Sequence, residues 1–121
     1  MKKIVFFTLP LMINLFLGCA PKAPSIVKIY VRNYDNILEK EAEVIIVLKS
    51  DNLPAYNLSG QTNEFGYATF NLDIFFEQFS SKDEKVADFE AHALSTNNKT
   101  GDVMIRPRAH ITTSNTIKLE Q

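Results

Sequence analysis

The chain has 121 residues, 13 basic against 14 acidic, a formal charge of −1, one cysteine and no tryptophan. That length supports one domain with a core of its own and not two. The charge balance excludes a basic field for nucleic acid. The lone cysteine excludes an intramolecular disulfide, so packing must hold the fold, with phenylalanine, nine in the chain and six of them beyond residue 18, as its bulkiest apolar stock.

Lys2 and Lys3 form a basic front, and Ile4 to Leu17 form an apolar run broken only by Thr8, Pro10 and Asn14. The run has about fourteen residues where a bilayer span needs roughly twenty. Its terminal position behind a lysine pair fits a targeting segment better than a core helix. It closes on Phe16-Leu17-Gly18-Cys19. Gly18 is small, but Phe16 is too large for ordinary signal cleavage.

This order resembles the signal peptide of a bacterial lipoprotein, with Gly18 before Cys19 as the strongest match. Phe16 stands where that pattern prefers Leu, Val or Ile. The resemblance implies cleavage before Cys19 and lipid on its thiol, so residues 1–18 are the signal, 19–25 a lipidated tether and 26–121 the domain. A secreted soluble product and an uncleaved anchor are the alternatives. Two or more acyl chains anchor stably where one does not. Ala20, in place of the Asp that tends to retain lipoproteins at the inner membrane, points to the outer one. Without Lys2 and Lys3, 11 basic residues face 14 acidic ones, a charge near −3. Pro21 and Pro24 keep Ala20 to Ser25 extended.

Val27, Ile29 and Val31 alternate with polar neighbours and predict a half-buried strand. Asn33 to Lys40 is a polar connection. Ala42, Val44, Ile46 and Leu48 predict a second strand. Ile45 and Val47 make its other face apolar too, which places it centrally or under cover. Ser50 to Pro54 is a turn cluster, and Tyr56 to Gln61 a third, weaker strand. In Thr62 to Leu72, TNEFGYATFNL, Asn63 suits an Asx turn and Gly66 a positive φ. Ala68, Phe70 and Leu72 then alternate inward.

This turn and strand resemble those of prealbumin-like (carboxypeptidase-regulatory-like) and bacterial immunoglobulin-like domains, and Val27 to Ile46 fits the same families. The C-terminal half resembles small lipoproteins of the Bacteroidetes type. The resemblance implies a fold and no activity.

Leu72, Phe75, Phe76 and Phe79 fall at helical spacing, which predicts a helical turn capping the sandwich, with a Phe-rich partner patch as the alternative. Ser80 to Lys85 is a solvated loop. Ala87, Phe89, Ala91 and Ala93 share one face of the next strand, with Asp88, Glu90 and His92 on the other. Ser95 to Gly101 is a turn, after which Val103 and Ile105 face inward and Met104, Arg106, Arg108 and His110 outward. Pairing Leu94 with Asp102 sets Glu90 opposite Arg106, Asp88 opposite Arg108 and Ala91 opposite Ile105, with charge complementarity. Pro107 makes this strand an edge or bulged strand. Thr112 to Asn115 is expected to turn the chain before a last strand, Thr116 to Glu120, with Ile117 and Leu119 inward. The expected fold is all-β: one antiparallel sandwich of about seven strands.

Chemistry is sparse. His92 with Glu90 and Asp88 offers metal-type ligands on what is otherwise a solvated strand face. His92, Arg106 and His110 are the only residues available to imitate the 5-hydroxyisourate hydrolases of the prealbumin-like fold, and Lys118-Leu119-Glu120-Gln121 lacks their Tyr-Arg-Gly-Ser tail. The reading is therefore non-enzymatic, with no catalytic residue, cofactor or metal. The expected contacts are a membrane through lipid on Cys19, and a protein or glycan through the loops at 33–40, 50–54 and 95–101 or the edge near Pro107. The type VI secretion lipoprotein, a transthyretin-like sandwich on a lipidated cysteine, supplies the alternative of an assembly subunit.

Overall fold

Period-two alternation carries most of the chain into strands: β1 Ile26–Arg32, β2 Glu43–Leu48, β3 Asn57–Gln61, β4 Tyr67–Asn71, then helix α1 Asp73–Gln78, β5 Phe89–Leu94, β6 Thr100–Ile105 and β7 Thr112–Lys118. The computed structural model describes residues 22–50, 53–78 and 85–121. Residues 1–21, on which the expected signal and Cys19 fall, residues 51 and 52, and the 79–84 stretch beginning with Phe79 lie outside the described residues.

The strands form a two-layer all-β sandwich: a three-stranded sheet ordered β4-β1-β7 against a four-stranded sheet ordered β3-β2-β5-β6. β2 is central, which accounts for the apolar Ile45 and Val47 on its outer face. β1 and β4 are in one sheet and β2 and β5 in the other, whereas an immunoglobulin constant-type domain keeps those four together.

The sandwich has two ends. β1 starts, β4 finishes, β7 starts and α1 sits at one, here called the near end. The 33–42, 62–66 and 95–99 connections and the C-terminus lie at the other, the far end. β1 and β7 both leave the near end, so they pair in parallel, Ile26 beside Thr112 through Arg32 beside Lys118. The sheet is therefore mixed and not wholly antiparallel.

The inner faces supply the core: Val27, Ile29 and Val31 on β1, Val44 and Ile46 on β2, Phe89 and Ala91 on β5, and Ile117 on β7, all fully buried. Leu72, Phe75 and Phe76 close the near end as buried residues, as the capping reading expects. Phe75 meets Phe89 edge-on at 5.2 Å between ring centroids, and Tyr56 and Phe76 at the same 5.2 Å. Such pairs add to area burial by about 0.5–1.5 kcal/mol each. On the outer face of the three-stranded sheet, Lys28 Nζ lies 4.0 Å over the Tyr67 ring.

Two further expectations are corrected. The β5–β6 register sets Leu94 opposite Thr100, Ala91 opposite Val103 and Glu90 opposite Met104, two residues from the expected pairing. The loop is shorter than Ser95 to Gly101: the Ser95 N–H donates to the Lys99 carbonyl and the Lys99 N–H to Ser95 Oγ, and Asn98 takes a φ of 65°. Thr100 and Gly101 thus join the strand. A slip of two preserves every side chain's face, so the inward set is unaffected. Asp88 pairs with Arg106, not Arg108, at 3.1 Å. The second correction concerns Thr112 to Asn115, which belong to β7. The chain turns earlier, at Ala109 to Ile111, with His110 at a φ of 64°.

Phe75→Ala should destabilise the fold by about 3–5 kcal/mol, the usual cost of emptying a buried phenylalanine site, read as a lowered urea midpoint.

Candidate functional site

Three places hold the polar and exposed apolar residues of interest. The first is the far end. Asn63 Oδ1 accepts the Phe65 N–H at 2.9 Å and the Asn63 carbonyl accepts the Gly66 N–H at 3.0 Å, which completes the expected Asx turn. Gly66 has a φ of 82°, and a Cβ there would lie 2.7 Å from Leu38 Cβ; glycine is required on both counts. The 33–42 connection is built just as firmly. Asn33 accepts the Ile37 N–H through Oδ1 and donates its own N–H to the Ile37 carbonyl. Asn36 is left-handed, with a φ of 68°, and its carbonyl accepts from the Arg32 guanidinium.

Thr62 pins this connection to the sandwich. Its buried hydroxyl donates to the Glu39 carbonyl at 2.8 Å and accepts the Ala42 N–H at 2.9 Å. On this hydrogen-bonded frame stand Tyr34, Ile37, Leu38 and Phe65, with Ile37 62% and Phe65 61% exposed. Large apolar side chains held outward by an ordered backbone make a contact surface. A depression of about 290 Å³ beside them runs between the 33–39 and 95–99 connections to Glu120 and Gln121.

The second place is the outer face of the four-stranded sheet. His92 lies beside Ile45 and Asp102 in one cross-strand row. His92 Nε2 is 2.8 Å from Glu90 Oε1, and Lys49 Nζ is 3.4 Å from Glu90 Oε2. The ligand atoms of Glu90, His92 and Asp102 all lie within 4.8 Å of one another. The register thus gives Asp102 the place expected of Asp88, which pairs with Arg106 instead. His92 and Asp102 line an open groove of about 610 Å³ that reaches Leu94, Thr100 and Lys118.

The third place is the near end. Ser25 is 1% exposed, and all of its polar groups are bonded. Its N–H donates to Asp73 Oδ1 at 2.8 Å, its carbonyl accepts the Leu72 N–H at 2.8 Å, and its Oγ accepts the His110 N–H at 2.8 Å. His110 Nδ1 lies 2.8 Å from the Ala23 carbonyl. The body therefore takes in Ala23 to Ser25, residues that composition assigns to the tether. Proline-flanked serine carries no local sign of this, because its partners are 48 and 85 residues away.

His92, Arg106 and His110 are not assembled into one site. His92 bonds Glu90, Arg106 bonds Asp88 and His110 bonds the Ala23 carbonyl. Of the expected contact loops, 33–40 and 95–101 meet at the far end, while Pro54 and Pro107 lie at the near end. Pro107 is buried and just beyond edge strand β6. Among the described residues no helix is long and apolar enough to cross a membrane. No protein-family model matches the chain, and no curated protein does.

Asp73 is held below the usual carboxylate value of 3.8, chiefly by the Ser25 N–H. Partial burial opposes this, while the Ser25 hydroxyl, Asn71 and the charge of His110 add to it. A lowered folded-state value means that the ionised carboxylate stabilises the fold above 3.8, and that this contribution is lost as the pH falls through the lowered value. Asp73→Asn should therefore lower the urea midpoint at neutral pH, and the gap from the unaltered protein should close in acid as Asp73 protonates.

Proposed function

We propose that this chain is an envelope-anchored lipoprotein whose sandwich is a non-catalytic binding or accessory module. Cys19 carries the lipid, Ala20 directs it to the outer membrane, and the far end meets a protein or glycan partner. The observation that carries the reading is the inequality of the two ends. The near end receives the tether and is closed by buried phenylalanines. The far end holds Tyr34, Ile37, Leu38 and Phe65 outward on hydrogen-bonded turns. Conserving backbone order beneath exposed apolar groups lowers the entropy lost on binding.

The division of strands between the sheets supports the prealbumin-like resemblance over the immunoglobulin-like one. The separation of His92, Arg106 and His110 supports a module without the hydrolase activity. Both histidines are engaged in contacts that serve the sheet face and the near end.

The test is the mass of the protein isolated from bacterial membranes after expression of the whole chain. The expected species is residues 19–121 plus a diacylglyceryl group and an amide-linked acyl chain. Cys19→Ser should abolish labelling with radioactive palmitate. An unmodified N-terminus in the wild-type protein, or palmitate labelling that survives Cys19→Ser, would sink the reading.

A further inference from the structure

The near end has a second property besides its clasp on the tether. Ile74 is 60% exposed and Ile111 48% exposed. Each is the chain neighbour of a residue that bonds Ser25: Ile74 follows Asp73, and Ile111 follows His110. Ile74 lies on the side of α1 away from buried Phe75 and Phe76. Ile111 is fixed by its carbonyl, which accepts the Ile26 N–H at 3.1 Å. Two β-branched apolar side chains thus flank the point where the tether leaves the body, both on backbone tied to β1.

The tether is short. Among the described residues the first body contact is at Ala23, through its carbonyl and His110. Four peptide steps separate Ala23 from Cys19, a reach of at most about 14 Å. With lipid on Cys19, the near end stays within that distance of the headgroups. Two packed sheets are already about 10 Å apart before their outer side chains are counted. A partner as thick as a second sandwich does not fit in that gap.

We propose that Ile74 and Ile111 form a lipid-contacting rim, which rests the near end of the sandwich on the bilayer surface and points the far end away from it. The proposal rests on the reading of Cys19 as the acylated residue. The occupant of the rim is the lipid surface itself, chosen by the length of the tether. Apolar side chains enter the headgroup–acyl boundary in this way in surface-lying proteins. Exposed Lys22, between Cys19 and the clasp, stands where an ammonium reaches lipid phosphates.

The experiment uses protein isolated from membranes after expression of the whole chain, reconstituted in phosphatidylcholine nanodiscs with labelled isoleucine methyl groups. A water-soluble gadolinium chelate reports which methyls face solvent, and the intact mass of the same sample reports acylation. The expected result is an acylated mass, with Ile74 and Ile111 relaxed at least threefold less than Ile37 at the far end. Insertion of ten Gly/Ser residues after Ala20 should erase that difference, because the longer tether releases the near end from the surface. An acylated mass with Ile74 and Ile111 relaxed as strongly as Ile37 would overturn the lipid contact and leave the anchoring intact. Protection that persists with the lengthened tether would overturn the role given to tether length. A mass without lipid would overturn the anchoring and the contact with it.

Discussion

One buried serine joins three separated parts of the chain. The N–H, carbonyl and hydroxyl of Ser25 bond Asp73, Leu72 and His110, so the entry to β1, the junction of β4 with α1 and the turn into β7 meet at one residue. Buried polar groups are tolerable only when satisfied, and Ser25 is satisfied by elements that come together only in the finished fold. β1 is the middle strand of its sheet. Fixing the residue just before it fixes the start of β7 beside it, and with it the parallel pair that closes the three-stranded sheet.

The two ends differ in how they are built. The near end is closed by rings, with Phe75 packed among Tyr56, Phe76 and Phe89. The far end is closed by hydrogen bonds: the Asx turn at Asn63, the Asn33 connection and the Thr62 hydroxyl that ties Glu39 to Ala42. Rings exclude water and leave little to recognise. Hydrogen-bonded turns carry side chains outward, and four large apolar ones stand there. The anchored module proposed above needs one end for its attachment and another for its contacts, and this division is compatible with both.

Strand positions and faces were legible because alternation is local. Ala42 to Leu48 and Phe89 to Ala93 show their inner faces in the residues themselves. The Gly66 turn was legible because the positive φ and the Asx bond are written in four adjacent residues. Register was not, because it depended on whether Thr100 and Gly101 belonged to loop or strand, and loop composition alone does not decide that. Gly101 belongs to the strand, and a Cβ there would lie 2.7 Å from the Lys118 carbonyl, a constraint set by a strand elsewhere in the sequence. Thr112 to Asn115 look like a turn by composition, yet they pair with β1 through backbone groups that any residue supplies. Ser25 and Thr62 act through partners distant in sequence, so neither carries a local signal. Cys19 is the opposite case: its meaning rests wholly on the order of the residues before it.

The clasp at Ser25 is tested most directly by amide hydrogen exchange on the folded protein. The N–H groups of Ser25, Leu72 and His110 should exchange as slowly as those of the β1 core, through the same cooperative opening, while those of exposed Thr96 and Asn97 exchange fast. Fast exchange at Ser25 and His110 beside a protected β1 would mean that the chain entry frays freely and that Ser25 does not clasp it.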